Sequence, residues 1–416
     1  MIIDSEKYNG KCSSCGKSHN METLISVVES GCLNRLDEYA ERYGLTGYRV
    51  SVYDENTYRA TEDRHPKADK EVILPPDNLH ANEHGVELLK SKLPKETKLL
   101  VAIGSGTVHD LTRYCAYQLG IDFISCPTAA SVDGFCSSVA AMTWKGSKKT
   151  LTAVAPKIVL ADIDIIKNAP LRLAKSGFGD MIGKYISLAD WKIANIVTNE
   201  FYCKRIADIT REATNAVLDS ALGILSGSEE AYEKLMYGLL LSGLAMQMMG
   251  NSRPASGAEH HISHLIEMRP EGLDVNSDAL HGEKVGVGTL TVLREYRNII
   301  NAHGISFKDY SEYNEEFIYK MFGDRLTGEI EKENADDCGK GITAEKMEKS
   351  FDRIKAVINE LPESKQLEGV FVKLGIKSTF EDIDVSSDKL PLILEYSPCV
   401  RNRLTLMRLR KIICHS

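Results

Sequence analysis

Three segments of this sequence carry residue types whose spacing suits a metal: Gly177-Phe-Gly-Asp180, Gly257-Ala-Glu-His260-His261-Ile-Ser-His264 and Leu280-His281-Gly282-Glu283. Read as a helix, the second sets His260 and His264 one turn apart on a shared face and sends His261 elsewhere. One carboxylate plus two imidazoles, with coordination positions left open, is the donor set of a catalytic divalent metal that polarises an alcohol or carbonyl oxygen. A lone histidine would read as a capping or hydrogen-bonded core residue; the cluster together with Asp180 points to a metal. A second group of residues suits phosphate. Gly104-Ser105-Gly106 closes an apolar run, and its backbone N–H groups with the following helix N-terminus would cradle an anion, although such a triplet is equally a tight strand-to-helix turn. Asp54 ends another run, where a carboxylate accepts both hydroxyls of a ribose and repels a 2′-phosphate; it is equally a turn residue in Asp54-Glu-Asn-Thr57. Pro127-Thr128-Ala-Ala-Ser131-Val-Asp133-Gly134 gathers hydroxyls, a carboxylate and a glycine after a further run, at the sheet edge where ligands bind, and in residue types that are also ordinary for loops. Cys12-Ser-Ser-Cys15-Gly-Lys-Ser-His19 offers two thiols and an imidazole, but a structural zinc site normally needs four ligands, so the segment reads as an exposed turn.

The elements that must position these residues follow from hydrophobic patterning. Tyr48–Tyr53 alternates and is β-rich, and Val72–Leu74, Leu99–Ile103, Asp122–Cys126 and Lys157–Ala161 are short apolar runs, with helical stretches at 79–92 and 107–119 between them. Strands alternating with helices, some buried on both faces, predict a largely parallel α/β sheet. Glu22–Tyr43 has apolar residues at roughly helical spacing and Gly44 as a stop, and it is expected to be a helix. Met142–Leu151 has the form of a hairpin with its turn at Lys145-Gly146-Ser147. Beyond about residue 166 the texture becomes helical, with long patterns over 179–195, 199–225 and 229–249. The expected organisation is an α/β nucleotide-binding domain over 1–166, including an N-terminal extension of about 20 residues, and an all-α metal- and substrate-binding domain over 167–416.

Composition narrows the class of ligand. The 416 residues include 43% hydrophobic and 26% charged positions, which is globular usage, and Lys+Arg 51 against Asp+Glu 59 leaves a net charge of -8. Without a basic run, nucleic acid and anionic membranes are disfavoured as partners, and a small molecule is favoured. No apolar stretch is long enough for a membrane span and the first residues lack a signal peptide's apolar core, so a cytoplasmic location is expected. The ten cysteines are scattered rather than paired, which suits reduced thiols packing as small hydrophobes.

Taken together, GSGTVHD at 104–110, PTAASVDGF at 127–135, GFGDMIGKYISLADW at 177–191, SGAEHHISHLIE at 256–267 and LHGEKVGVG at 280–288 resemble the sn-glycerol-1-phosphate dehydrogenases. The likeness is to their bacterial branch, within the superfamily of iron-containing alcohol dehydrogenases, glycerol dehydrogenase and 3-dehydroquinate synthase. It runs in order over roughly residues 48–290. The resemblance implies metal-dependent, reversible reduction of dihydroxyacetone phosphate to sn-glycerol 1-phosphate, in a dehydroquinate synthase-like fold with a cleft between its domains. It implies one zinc or nickel ion per subunit on Asp180, His260 and His281; the dehydroquinate synthase pattern, whose first histidine is followed a turn later by another, favours His260 over His261. It implies NAD(H), preferred over NADP(H) by the Asp54 argument, on Gly104, Ser105, Gly106, Thr107, Asp110, Thr128 and Ser131. Asp133 matches a carboxylate facing the substrate, and His264 a pocket histidine able to relay a proton. For the substrate phosphate, Lys184 is the first choice because it lies one turn from Asp180, with a structural ion pair as its alternative role; Lys148 and Lys149 come next. A homo-oligomer, dimer or larger, is expected. A glycerol or polyol dehydrogenase and a dehydroquinate synthase-like cyclase share the same scaffold and remain alternatives, with a non-enzymatic nucleotide sensor behind them.

Overall fold

A computed structural model describes residues 1–144 and 147–414. Packing divides the chain into two units: Met1–Met181 with Glu212–Asn251, and Ile182–Arg211 with Ser252–Ser416.

The first unit is built on a seven-stranded sheet. Its strands are β1 (Ile2–Asp4), β4 (Ile25–Glu29), β5 (Tyr48–Asp54), β6 (Lys70–Leu74), β7 (Thr97–Gly104), β8 (Asp122–Pro127) and β11 (Ile158–Asp162); β2 (Gly10–Lys11) pairs with β3 (Ser18–His19), and β9 (Val139–Trp144) with β10 (Ser147–Thr152). The sheet order is β1-β4-β11-β8-β7-β5-β6, and every neighbouring pair is parallel except β1 with β4. The parallel strands are apolar on both faces because helices cover both: α1 (Leu36–Arg42) lies with the cluster of Val27, Leu99, Val101 and Leu160 on one face, and α4 (Gly106–Leu119) with that of Val50, Val52, Leu100 and Phe123 on the other. Short α2 (Glu55–Ala60) and α3 (Glu83–Lys92) connect β5 to β6 and β6 to β7. From β5 the chain steps outward to β6, and from β7 it steps the other way to β8. The crevice between the C-terminal ends of β5 and β7 is therefore the topological switch point where open α/β sheets take their ligands.

The helix expected over Glu22–Tyr43 is corrected. Ile25–Glu29 is a strand inserted between β1 and β11, and only Leu36–Arg42 is α-helical. Ile25, Val27 and Val28 are β-branched and buried, and Gly31 at φ 74° breaks any continuous helix. The hairpin at 139–152 is present, with Lys149 opposite Met142; Lys145 and Gly146 of the expected turn, and the side chains of Ser147 and Lys148, lie outside the described residues.

After α5 (Ile163–Ile166) come α6 (Leu171–Thr198), α7 (Lys204–Asp219), α8 (Ala221–Leu225) and α9 (Glu229–Met249), then α10 (Ala258–Met268) and α11 (His281–Asn301). The packing division differs from a boundary at 166: it cuts α6 after Met181 and α7 after Arg211, and assigns α9 to the sheet unit. The reason is visible in the bonds of α9, where Gln247 accepts the Glu22 and Thr23 N–H groups at 2.9 and 3.2 Å and Ser242 donates to Asp133 at 2.9 Å. The second unit comprises α10, α11 and further helices to the C-terminus.

Candidate functional site

In the first unit the switch-point loops are built around the start of α4. Gly104 ends β7 and packs so closely that a Cβ there would lie 2.6 Å from the Val108 side chain, so the turn from strand into helix requires glycine. Ser105 is the N-cap of α4, its hydroxyl makes no capping bond, and Ser105, Gly106, Thr107 and Asp110 are half-buried. The helix thus presents backbone N–H groups and the positive end of its dipole at the crevice, the arrangement an anionic phosphate requires. The neighbouring loop is tied to it, since the Thr128 N–H donates to the Gly104 carbonyl at 2.9 Å, and Thr128 and Ser131 are both buried. Asp110 pairs with Arg113 at 3.5 Å, and Arg113 donates to the carbonyls of Gly134, Phe135 and Val139. Burial, reinforced by Arg113, pushes the neighbouring His109 down to about 3.

Asp54 stands at the end of β5, on the other side of the switch point, and its carboxylate is the N-cap of α2: Oδ1 accepts the Thr57 N–H at 2.8 Å and the Thr57 hydroxyl oxygen accepts the Asp54 N–H at 3.1 Å. The turn role open in the sequence is therefore realised through a capping box.

Asp180 is wholly buried on α6, and its Oδ2 accepts the Asp133 N–H at 3.0 Å. Gly177, one turn earlier, allows this approach: a Cβ there would come within 2.1 Å of the Ala130 carbonyl oxygen. Ser176 adds a bond to the Ser131 carbonyl at 3.3 Å. The GFGD and PTAASVD motifs thus form one interlocked corner of the first unit, with Asp133 Oδ2 held by Ser242.

In the second unit three imidazoles converge. The ring centroids of His260 and His264 are 5.9 Å apart, those of His260 and His281 5.3 Å, and those of His264 and His281 5.8 Å. Each outer ring is held by a carboxylate. His260 Nδ1 meets Glu259 Oε1 at 2.7 Å, and His281 Nδ1 meets Glu267 Oε1 at 2.9 Å. Because a carboxylate only accepts, each Nδ1 carries the proton and each Nε2 keeps its lone pair, which is the tautomer and orientation of a metal-binding histidine. Glu259 Oε1 also takes the Gly257 N–H at 2.9 Å, and Glu283 takes the Leu280 N–H at 2.7 Å, fixing the starts of α10 and α11 that carry the two rings. One ligand atom each of His264, Glu267 and His281 lies within 4.8 Å of the others. Burial opposes charge on Glu267, but the His281 partner holds its carboxyl well below the usual carboxylate range. Burial, followed by the Arg401 charge, pushes His264 far down, so that ring is neutral.

His261 is wholly buried on the other face of α10, neither of its ring nitrogens has a hydrogen-bond partner, and burial pushes it well down; of the adjacent pair, His260 is the one that joins the cluster. Lys184, counted in the second unit, is wholly buried and its Nζ donates to the Ala255 carbonyl at 3.0 Å. Lys149 is half-buried on β10. Sequence reasoning missed Glu259 and Glu267. The second had a signal, since it follows His264 by three residues and so shares its helical face; adjacency of Glu259 to His260 carries none.

Known proteins bear on these observations. Residues 27–170 match the family model described as iron-containing alcohol dehydrogenase. A glycerol-1-phosphate dehydrogenase [NAD(P)+] of Bacillus licheniformis is 33% identical, with 98% of this chain and 94% of that protein covered. One from Pyrococcus horikoshii is 37% identical over 55% of this chain and 62% of its own length. Among solved structures, a probable glycerol dehydrogenase from Sinorhizobium meliloti 1021 superposes with a TM-score of 0.61 at 17% identity, covering 93% of this chain and 91% of that one. A sulfoacetaldehyde reductase from Bifidobacterium kashiwanohense in complex with NAD+ gives a TM-score of 0.61 at 15% identity, covering 95% and 97%; these two share the fold. With a third of its residues identical to a relative along nearly the full length of both, the chain belongs to the family of glycerol-1-phosphate dehydrogenases [NAD(P)+], among the iron-containing alcohol dehydrogenases.

Proposed function

We propose that the chain is an sn-glycerol-1-phosphate dehydrogenase that interconverts dihydroxyacetone phosphate and sn-glycerol 1-phosphate, using NAD(P)H and a divalent metal. The observation that carries this reading is the pair of carboxylate–imidazole bonds, Glu259 to His260 and Glu267 to His281, which leave both Nε2 atoms as metal donors. Asp180 is the third ligand in this proposal; its helix α6 continues into the second unit one residue beyond it. Bound there, the ion would supply Lewis-acid polarisation of a carbonyl or alcohol oxygen, and the nicotinamide would supply or accept the hydride.

The chain's own residues do the rest. Gly104, Ser105, Gly106 and Thr107 bind the dinucleotide's pyrophosphate at the start of α4, supported by the uncapped helix N-terminus. Thr128 and Ser131 line the nicotinamide side, and Asp110 supports that loop through Arg113. Asp54 accepts the ribose hydroxyls with the carboxylate oxygen that does not cap α2, and so favours NAD(H) over NADP(H). Asp133, held by Ser242 and by its own N–H to Asp180, faces the substrate. His264, set beside His260 and His281, is the residue proposed to relay the proton that accompanies hydride transfer. Lys184, then Lys148 and Lys149, are the cations proposed for the substrate phosphate. Zinc or nickel as the ion, a homo-oligomeric assembly and a cytoplasmic location belong to the same proposal; no helix among the described residues is long and apolar enough to cross a membrane.

The test is oxidation of NADH and NADPH by dihydroxyacetone phosphate in metal-loaded enzyme, with chiral analysis of the product. Net cofactor turnover that yields sn-glycerol 1-phosphate supports the proposal. Turnover of glycerol but not of the phosphate ester would instead make it a polyol dehydrogenase, and no net cofactor change would indicate a cyclase. Asp180→Asn, His260→Ala and His281→Ala should each abolish turnover and bound catalytic metal while the fold survives. Full activity after exhaustive chelation would end the metal assignment.

A further inference from the structure

The segment Cys12-Ser-Ser-Cys15-Gly-Lys-Ser-His19 plays no part in the chemistry above, yet it is built rather than loose. Ser13, Ser14 and residues 16–18 form the expected exposed turn, but Cys12 is 1% exposed and His19 3%. β2 and β3 pair as Gly10 with His19 and Lys11 with Ser18. Inside that hairpin the Cys12 N–H donates to the Lys17 carbonyl at 2.8 Å, the Gly16 N–H donates back to the Cys12 carbonyl at 2.9 Å, and Gly16 takes φ 74°. The turn gathers its three soft donors: one ligand atom each of Cys12, Cys15 and His19 lies within 4.8 Å of the others, and Cys15 Sγ stands 3.2 Å from His19 Nε2.

The histidine is oriented for coordination. His19 Nδ1 meets the Met248 carbonyl, on the last turn of α9, at 2.9 Å. A carbonyl only accepts, so Nδ1 carries the proton and the Nε2 lone pair points at the sulfur, the outer-shell arrangement that fixes a metal-binding imidazole. Zinc bonds of ≈ 2.3 Å to sulfur and ≈ 2.0 Å to nitrogen set a tetrahedral S···N edge of about 3.5 Å, so the Cys15–His19 pair is within a few tenths of an ångström of that edge. Three other cysteines of this unit, Cys32, Cys115 and Cys126, are instead buried in its apolar clusters. None of the cysteines among the described residues is in a disulfide.

We propose that Cys12, Cys15 and His19 bind a zinc-class divalent ion, distinct from the catalytic metal, leaving the fourth tetrahedral position to one more donor. Both thiols bind as thiolates and release their protons to the buffer on metal uptake. The ion fastens the N-terminal hairpin to the end of α9 through His19 and Met248, and its role is structural.

The experiment is elemental analysis of the full chain purified without chelator, with cobalt replacement and alkylation of thiols alongside. The expected wild-type content is about two ions per chain, one for each donor set of the kind that holds zinc. Cys12→Ser/Cys15→Ser loses one ion and keeps turnover, whereas His281→Ala loses the other and keeps the first. Cobalt-loaded wild type and His281→Ala should both show thiolate-to-cobalt charge transfer, and chelation should expose Cys12 and Cys15 to alkylation. These last two readouts stand on folded wild type if the double variant does not fold. Unchanged metal content in the double variant, a cobalt protein without thiolate absorption, or a Cys12–Cys15 disulfide in the native chain would overturn the proposal.

Discussion

Asp190→Ala should be among the most destabilising single changes in the second unit, because this one buried carboxylate satisfies donors from three separate segments. Its Oδ1 accepts the Tyr296 hydroxyl at 2.6 Å and the Leu406 N–H at 2.9 Å, and its Oδ2 accepts the Ala258 N–H at 2.9 Å. All four residues are buried. Leaving a buried donor unpaired costs about 1–3 kcal/mol, so three stranded donors give a loss of about 3–6 kcal/mol after some relaxation. Asp190→Asn keeps one carbonyl-type oxygen and strands one or two donors, for a loss of about 1–3 kcal/mol. The ionisation state adds a pH signature. Burial raises Asp190 from 3.8 to about 7, against the pull of its three donors. A carboxyl raised on folding is most stabilising when protonated, so its contribution is present below the unfolded value and is lost as pH rises toward and through the folded one. From those two values, wild type should lose about 2 kcal/mol between about pH 5.5 and about pH 8 relative to Asp190→Asn, which has no such group. Urea unfolding of wild type and both variants at the two pH values measures these differences. An Asp190→Ala midpoint within about 0.5 kcal/mol of wild type, or parallel pH dependence of wild type and Asp190→Asn, would refute the reasoning. Because Ala258 opens α10, the same variants should weaken metal retention at His260 two residues on, even where the chain still folds.

Four further outcomes follow from the same geometry. Glu267→Ala should lower affinity for the catalytic metal about 10–100-fold by releasing His281, read by competition with a chelating dye; Glu267→Gln should recover part of it, and unaltered affinity in both would remove Glu267 from the positioning of His281. Wild type should favour NADH over NADPH in kcat/KM, and Asp54→Ser should narrow that ratio at a stability loss of under about 1 kcal/mol, because serine also caps a helix; a wild type that favours NADPH overturns the Asp54 assignment. Gly177→Ala, whose methyl would collide with the Ala130 carbonyl, should cost about 1–3 kcal/mol and lower kcat by displacing Asp180 and the 128–133 loop, and crystals or melts indistinguishable from wild type would show that the close approach is not needed. Lys184→Met should raise KM for dihydroxyacetone phosphate far more than for unphosphorylated dihydroxyacetone if its ammonium binds the phosphate; equal loss with both, or stability loss alone, would assign it to holding the Ala255 carbonyl.

The features legible in the sequence are those whose cause is local. The strands at 97–104, 122–127 and 158–162 were readable because a parallel strand covered on both faces is a short apolar run, and that at 48–54 because its residues alternate and favour β structure. The α9 helix at Glu229–Met249 was readable from its long helical pattern, and the structure adds a Ser228 cap at its start and Gly250 in the left-handed region at its end. Ile25–Glu29 was not, because a short apolar stretch fits helix or strand until its neighbours in the sheet are known. The closeness of His260 and His264 was legible, since a one-turn spacing places them on one face by helix geometry alone.

What escaped depends on contacts distant in sequence. Asp54 offered a ribose carboxylate and a turn residue with equal force, and the structure realises the second without removing the first, since a carboxylate has another oxygen to offer. Asp190 sits in an ordinary helical stretch, and its importance appears only when Tyr296 and Leu406 arrive from more than a hundred residues away. The thiol hairpin makes the same point most sharply. Its ligand count read as an exposed turn, and the proposal of a metal there rests instead on the carbonyl of Met248, 229 positions downstream of His19, which holds Nδ1 and leaves Nε2 beside Cys15. Spacing along the chain therefore brings donors together, and the acceptor that holds a ring's Nδ1 proton decides which nitrogen is left to face them.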